Sequence, residues 1–134
     1  MPPLKSAKNK TSAPSKEVLI IEDDAFLVKA YQIKFKKEGI DTRVAFDGQE
    51  ALAMLDKEVP AVILLDLMLP GISGFSILEA IRKKPDWKDV PVLILSNLGQ
   101  PQDIERGKAL GAKDYIVKAN VKINDIVDKV RKFL

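Results

Sequence analysis

Residues 62–74 read VILLDLMLPGISG, and this segment contains the features that decide the fold. Its first four residues continue a short apolar run from Ala61, which is typical of a strand buried on both faces of a sheet. The run ends at Asp66, and residues 70–74 (PGISG) have the composition of a loop. The segment therefore predicts a central strand with a carboxylate at its carboxyl end.

Apolar runs of the same kind occur on both sides of this segment, and stretches with helical spacing lie between them. We predict strands at residues 18–21, 42–46, 61–65, 90–95 and 114–117. We predict helices at residues 25–38 and 49–56, around Phe75, Leu78 and Ile81, at residues 101–110, and from residue 123 to the C-terminus. Strict alternation of buried strands with helices indicates an α/β protein with a doubly wound, five-stranded parallel sheet and helices on both faces.

The composition limits the chemistry that is available. The chain has 134 residues, enough for one domain with a sizeable core, and it contains no cysteine and no histidine. The absence of cysteine excludes disulfides, thiolate zinc sites and cysteine nucleophiles. The absence of histidine excludes Ser-His-Asp catalysis, HExxH zinc sites and any imidazole base. Chemistry must therefore come from carboxylates, hydroxyls, lysines and a hard metal ion.

The formal net charge is +3, but the positive excess lies in residues 1–16, which contain four lysines and no acid. This stretch is rich in Pro, Lys, Ser and Ala and lacks hydrophobic periodicity, so we predict a disordered basic tail before a folded domain at residues 17–134. No apolar run reaches the ~18 residues of a membrane span, and the N-terminus lacks the apolar region of a secretory signal. We therefore expect a cytoplasmic protein without a membrane partner.

Polar and charged residues follow four of the five predicted strands. They are Glu22, Asp23 and Asp24 after the first strand, Asp66 after the third, Ser96 after the fourth and Lys118 after the fifth. Because parallel strands all end at the same edge of a sheet, these groups should lie at one edge. Taken singly, each has an ordinary explanation as a helix cap, a turn residue or a solvated charge. Their joint occurrence favours a functional site.

The electrostatics of this edge predict a cation and a phosphoryl group. At ~4 Å, two like unit charges repel by about 4 kcal/mol at an effective dielectric constant of ~20, so clustered carboxylates bind either a proton or a cation. Oxygen ligands with partial solvent access suit Mg²⁺. A metal ion, the Lys118 ammonium and the Ser96 hydroxyl around one carboxylate would hold a phosphoryl group, and a carboxylate nucleophile would form an acyl phosphate.

At these residues the chain resembles the receiver domains of two-component response regulators. The resemblance rests on four motifs and extends over residues 17–134. The motifs are VLIIEDD (residues 18–24), VILLDLMLPGISG (62–74), VLILSN (92–97) and GAKDYIVK (111–118). The resemblance implies a flavodoxin-like strand order of 2-1-3-4-5, which hydrophobic periodicity alone does not determine.

The resemblance also implies roles for the acidic residues. Asp66 would be the phosphoacceptor, and Asp23 and Asp66 would bind Mg²⁺ directly. Glu22 would bind Mg²⁺ through a water molecule, and Met68 would contribute its backbone carbonyl. Glu22 and Asp23 would form the acidic pair of the family, and Asp24 would lie outside it, at the beginning of the first helix.

The resemblance also implies which residues take part in catalysis and in switching between conformations. Lys118 and Ser96 match the lysine and the hydroxyl residue of the family, and Tyr115 matches its switch aromatic. Asp66 would take the phosphoryl group from a phosphohistidine of a sensor histidine kinase or phosphotransfer protein. The phosphoryl oxygens would then attract Ser96 and Lys118, and Tyr115 would turn inward. The altered face of helix 4, strand 5 and helix 5 would bind a downstream protein.

Two departures from the family pattern carry predictions. Ala119 stands where the family usually has proline after the lysine, and a cis bond to another residue costs about 2.5–4 kcal/mol. The bond between Lys118 and Ala119 is therefore expected to be either trans with a shifted loop or strained and cis. Met68 and Leu98 occupy two positions that orient attacking water in the family, and neither side chain hydrogen-bonds water well. We therefore predict slow self-dephosphorylation.

Other functions remain open from the sequence alone. One is a receiver-fold scaffold that is never phosphorylated, although the intact acidic set argues against it. A phosphohydrolase with an aspartyl nucleophile, of the haloacid-dehalogenase type, would need an acid where Met68 stands. A nucleic-acid binder using the basic tail would lack a recognition helix and interleaved aromatics, which argues against nucleic acid as a partner. Because the last predicted helix ends the chain, we expect a single-domain response regulator that catalyses only its own phosphorylation and dephosphorylation.

Overall fold

The computed structural model of the protein describes residues 17–134. The strands are β1 (Glu17–Ile21), β2 (Asp41–Ala45), β3 (Val62–Leu65), β4 (Val92–Ser96) and β5 (Asp114–Val117). The helices are α1 (Ala25–Lys37), α2 (Gly48–Met54), α3 (Gly74–Lys83), α4 (Pro101–Ala109) and α5 (Ile123–Arg131), and a 3₁₀ turn occupies Lys118–Asn120. The predicted basic tail at residues 1–16 lies outside the described residues. Within residues 17–134, none of the helices combines the length and the apolar character needed to cross a membrane.

The strands form one parallel sheet in the order β2-β1-β3-β4-β5, which confirms the flavodoxin-like order. Ile21, the last residue of β1, lies opposite Ala45 of β2 and Leu65 of β3. Ser96, the last residue of β4, lies opposite Val117 at the end of β5. The residues that follow these strands therefore begin at the same edge of the sheet, where the sequence places the polar groups.

Alternate side chains of each strand enter two hydrophobic cores, one on each face of the sheet. Ile20 and Leu64 belong to the core under α1 and α5, whereas Ile21 and Leu65 belong to the core under α2, α3 and α4. The second core also contains Trp87, the one tryptophan of the chain, which lies in the turn between α3 and β4. The predicted doubly wound arrangement, with helices on both faces, is confirmed.

The boundaries of several elements differ from the predicted ones by one to three residues. β2 begins at Asp41 because this residue pairs with Glu17 of β1. β4 begins at Val92 because the amide of Val90 is already used in a turn, where it donates to the Trp87 carbonyl. Helices α2 and α5 end earlier than predicted.

Candidate functional site

The carboxyl end of β1 places two acidic residues at different depths. Glu22 directly follows β1; its amide donates to the Ala45 carbonyl (3.1 Å), and the residue is only 3% exposed. The next residue, Asp23, is exposed. Asp24 is the N-cap of α1: its carboxylate accepts hydrogen bonds from amides in the first turn, and its own amide donates to Glu22 Oε2 (3.2 Å). This cap therefore fixes the beginning of α1 next to the acidic pair.

Asp66 directly follows β3 and is 5% exposed, almost as buried as Glu22. The Met68 amide donates a hydrogen bond to Asp66 Oδ1 (3.0 Å), which orients the carboxylate. The loop then turns tightly into α3, where a Cβ on Gly74 would lie 2.5 Å from the Leu67 Cα. Glycine at this position therefore allows the backbone of α3 to approach the loop that holds Asp66.

The Lys118 side chain joins the two buried carboxylates. Its ammonium donates to Glu22 Oε1 (2.6 Å) and to Asp66 Oδ2 (3.0 Å). Burial alone would lower the pKa of Lys118, but the hydrogen bonds to the two carboxylates outweigh burial and raise the pKa. Lys118 therefore remains positively charged between them. No peptide bond within residues 17–134 is cis, so the bond between Lys118 and Ala119 adopts the trans alternative.

Three carboxylates at this edge can approach one ion. One oxygen from each of Glu22, Asp23 and Asp66, which we call the acidic cluster, lies within 4.8 Å of the others. Burial raises the pKa of Glu22 to about 7; the hydrogen bond from Lys118 opposes this shift, and the charge of Asp66 adds to it. Three carboxylates carry more negative charge than one ammonium balances, and carboxylate oxygens are ligands that Mg²⁺ prefers. The acidic cluster therefore fits a hard divalent cation.

Ser96 and Tyr115 lie on β4 and β5 and are connected through the loop between β4 and α4. Ser96 is fully buried, and its Oγ accepts a hydrogen bond from the Leu98 amide (3.2 Å). The Tyr115 hydroxyl donates to the Leu98 carbonyl (2.5 Å), and its ring lies against Gly107 of α4. Within the part of the chain that the structure describes, neither side chain is hydrogen-bonded to the acidic cluster.

Comparison with protein families identifies the chain. The family model described as "Response regulator receiver domain" matches residues 18–131. The chain belongs to the response regulator receiver domain family. The resemblance inferred from the motifs at the strand ends is thereby confirmed.

Solved receiver domains share the fold. The receiver domain of response regulator 1452 from Francisella is 34% identical, with a TM-score of 0.81 over 89% of this chain and 96% of that chain. The chemotaxis response regulator CheY4 of Vibrio cholerae is 28% identical, with a TM-score of 0.80 over 88% of this chain and 98% of that chain. The likeness therefore extends over nearly the whole of both receiver domains.

The curated relatives are longer than this receiver domain. The chain is 36% identical to RpaA of Synechocystis sp., a "DNA-binding dual master transcriptional regulator", over 87% of this chain and 48% of the relative. It is 38% identical to ycf27 of Guillardia theta, a "probable transcriptional regulator", over 76% of this chain and 39% of the relative. The chain thus spans less than half the length of these two relatives.

The structure brings most of the predicted site residues together, and Tyr31, which was not among them, lies beside two of them. The acidic cluster and Lys118 form a connected group, and Ser96 is buried at the same edge, whereas the Met68 side chain is 56% exposed. Sequence reasoning assigned no role to Tyr31, whose side chain lines a void shared with Glu22 and Asp66. Helical spacing identifies Tyr31 as an inward-facing residue of α1, but it carries no information about the surroundings of the hydroxyl.

Proposed function

We propose that this receiver domain accepts a phosphoryl group on Asp66 from a phosphohistidine of a sensor histidine kinase or phosphotransfer protein. The observation that carries the proposal is the Lys118 ammonium bonded to both Asp66 and Glu22, with Asp23 beside them. An oxygen of Asp66 attacks phosphorus, the P–N bond breaks, and the imidazole nitrogen keeps the bonding electron pair. The phosphohistidine is thereby replaced by an acyl phosphate on Asp66.

The acidic cluster supplies the metal ligands in this proposal. Asp23 and Asp66 would bind Mg²⁺ directly, Glu22 would bind it through a water molecule, and Met68 would contribute its backbone carbonyl. When bound, Mg²⁺ supplies positive charge that stabilises the phosphoryl oxygens during transfer. The exposure of Asp23 supports its role as a direct ligand, because its carboxylate is open to an ion that arrives from solvent.

Phosphorylation changes the hydrogen-bond partners of Lys118 and Ser96. The new phosphoryl oxygens attract the Lys118 ammonium and the Ser96 hydroxyl, which now accepts a bond from the Leu98 amide. Movement of Ser96 displaces the loop to which Tyr115 is bonded through the Leu98 carbonyl. Tyr115 then turns further inward, and the face of α4, β5 and α5 changes for a downstream protein.

A second candidate function is a part in transcriptional control. The printed names of RpaA and ycf27 describe transcriptional regulators, and this chain spans less than half of their length. In this form of the proposal, the receiver domain regulates a DNA-binding partner or segment and does not itself bind DNA. Tight binding of duplex DNA by residues 1–134, with a steep dependence on salt concentration, would contradict the expectation that the receiver domain does not itself bind DNA.

The proposal is tested with small-molecule phosphodonors. Acetyl phosphate or phosphoramidate with Mg²⁺ should add one phosphoryl group to the chain by mass spectrometry, and Asp66→Asn should abolish the addition. Asp86→Asn, which changes an exposed aspartate between α3 and β4, is the matched control and should be labelled like the wild type. Labelling of Asp66→Asn would contradict the assignment of the acceptor. A wild type that is never labelled would favour the scaffold, and steady turnover of p-nitrophenyl phosphate would favour a phosphohydrolase.

A further inference from the structure

Tyr31 is a buried tyrosine of α1 that the mechanism above does not use. It is 2% exposed and belongs to the core between the sheet, α1 and α5. Within residues 17–134 its hydroxyl makes no hydrogen bond, whereas the hydroxyl of Tyr115, the other tyrosine of the chain, bonds to Leu98. A buried hydroxyl without a partner lowers stability. Phenylalanine would therefore fill this position better if only the ring were needed.

The surroundings of Tyr31 restrict the partners of its hydroxyl. Tyr31 lines a narrow void at the carboxyl ends of β1 and β3, together with Glu22 and Asp66. The other side chains that line this void are apolar, among them Leu64 and Leu95. The void has no room for a water molecule. Among the residues that line this void with Tyr31, only Glu22 and Asp66 have side chains that can accept a hydrogen bond from its hydroxyl.

The charges of the site act on the Tyr31 hydroxyl. Burial raises the pKa of Tyr31 to about 12; the positive charge of Lys118 opposes this shift, and the negative charges of Glu22 and Asp66 add to it. The phenol is therefore neutral at pH 7 and can donate its hydrogen. The dependence of its pKa on these three groups agrees with the position of Tyr31 at the wall of the shared void.

In the unphosphorylated protein, Lys118 is hydrogen-bonded to both carboxylates. Its ammonium bonds to Glu22 Oε1 and Asp66 Oδ2, while the Asp24 amide bonds to Glu22 Oε2. When the phosphoryl oxygens attract Lys118, Glu22 loses its shortest hydrogen bond and remains buried. Asp66 then carries the phosphoryl group, so Glu22 is the free carboxylate that still lines the void with Tyr31.

We propose that Tyr31 is a positioning residue that donates its hydroxyl hydrogen to Glu22 when Lys118 turns to the phosphoryl group. The inference rests on the proposed phosphorylation of Asp66. The exchange of donors keeps the Glu22 carboxylate in place beside the metal and phosphoryl groups. Tyr31 thus acts through Glu22 and does not touch the reacting atoms.

The first test uses beryllofluoride with Mg²⁺ as a mimic of the phosphoryl group. Tyr31→Phe, which removes only the hydroxyl, should lower the affinity for beryllofluoride about tenfold, as expected for one hydrogen bond to a charged group. The affinity for Mg²⁺ alone should change less than about twofold, because Lys118 still holds Glu22 in that state. The control is Val28→Ala, which loosens the same core but does not line the void, and it should leave the beryllofluoride affinity unchanged.

A spectroscopic signature separates hydrogen bonding from packing. With ¹³C at Cζ of tyrosine, the chain gives two signals, which Tyr31→Phe and Tyr115→Phe assign. The Tyr31 signal should shift when beryllofluoride and Mg²⁺ bind. If that signal does not move, or if Tyr31→Phe binds beryllofluoride like the wild type, the proposal is overturned.

A double-mutant cycle tests Tyr31 without any phosphoryl chemistry. Lys118→Met removes the ammonium, so in this background the Tyr31 hydroxyl should already bond to Glu22. Adding Tyr31→Phe should then raise the equilibrium constant for unfolding about tenfold more than it does in the wild-type background. Lys118→Ala replaces Lys118→Met if the latter does not fold. If the wild type binds no beryllofluoride, the proposed function fails on its own, and absence of this coupling separately overturns the role of Tyr31.

Discussion

Helices α1 and α4 both begin at the edge of the sheet that carries the site, but they are attached to the sheet differently. Helix α1 buries Val28, Tyr31 and Phe35 and is capped by the Asp24 side chain. Helix α4 buries only Gly107, and its N-cap residue makes no side-chain hydrogen bond. Burial of one large apolar side chain contributes about 1.5–3 kcal/mol. Helix α1 is therefore firmly anchored, and α4 is not.

This difference places the acidic cluster next to the firmly packed helix α1, and Tyr115 next to the loosely packed helix α4. The N-cap of α1 is hydrogen-bonded to Glu22, so the beginning of this helix is tied to the acidic cluster. Helix α4 is held by the Tyr115 ring against Gly107 and by the Arg106 guanidinium, which lies 4.1 Å from the centre of the Phe75 ring. An element with few buried apolar contacts changes position at low cost, so α4 should move more readily than α1.

The largest expected effect on stability comes from removing a buried side chain of α1. Phe35→Ala should lower the free energy of unfolding by about 3–5 kcal/mol, because the ring is fully buried. The control is Ile104→Ala in α4, which should cost less than about 1 kcal/mol because Ile104 is only partly buried. Urea unfolding followed by circular dichroism measures both values. Equal losses would show that the two helices are anchored equally well.

A side chain at Gly107 should disturb α4 and leave α1 unchanged. A Cβ there would lie 2.6 Å from Ile94 Cδ1 and 3.2 Å from Tyr115 Cδ2. Gly107→Val should therefore lower the free energy of unfolding by about 1–3 kcal/mol and break the hydrogen bond between Tyr115 and Leu98. Urea unfolding and the ¹³Cζ signal of Tyr115 measure these effects. Ala109→Val, at an exposed position of α4, is the control; a Tyr115 signal unchanged by Gly107→Val would refute the prediction.

The lifetime of the acyl phosphate should depend on two apolar side chains near the site. Met68→Asn combined with Leu98→Glu should shorten this lifetime about tenfold, or ~1.4 kcal/mol of barrier, because the new side chains can orient attacking water. The measurement is the loss of phosphoryl mass after the phosphodonor is removed. Met68→Leu combined with Leu98→Met keeps both positions apolar and should preserve the long lifetime. If the Asn/Glu variant loses its phosphoryl group no faster, these positions do not limit dephosphorylation.

The smallest expected effect on stability concerns the exposed acid of the acidic cluster. Asp23→Asn removes one of three neighbouring charges and should raise the free energy of unfolding without Mg²⁺ by less than about 1 kcal/mol, because solvent screens Asp23. The variant should also lose the stabilisation that Mg²⁺ gives to the wild type. Thermal unfolding with and without Mg²⁺ measures both effects, with Asp86→Asn as the neutral control. Equal Mg²⁺ stabilisation of Asp23→Asn and the wild type would remove Asp23 from the ligand set.

The fold was predictable where burial leaves a pattern in the sequence. The apolar runs of β3 and β4 are continuous because both faces of these strands are covered. Their ends were less predictable, because local turns decide them, as at Val90. The strand order could not be obtained from periodicity, because all buried strands have the same continuous apolar pattern. The order was instead inferred from the resemblance to receiver domains.

The sequence predicted which residues lie at the shared edge of the sheet, because the carboxyl ends of parallel strands lie at one edge. The sequence could not show that Lys118 bonds to Glu22 and Asp66 at once, because that contact depends on the conformations of long side chains. It also could not show that Tyr31 lines a void together with Glu22 and Asp66. Both features depend on packing between elements that are distant in the chain.

The position of Trp87 has a practical consequence. Its indole is 1% exposed and lies in the turn that precedes β4, at the amino edge of the sheet and therefore opposite the acidic cluster. Its fluorescence should report loss of the core and stay constant when an ion or a phosphoryl mimic binds at the far edge. The unlabelled protein thus contains its own probe of unfolding, whereas ligand titrations require a second signal.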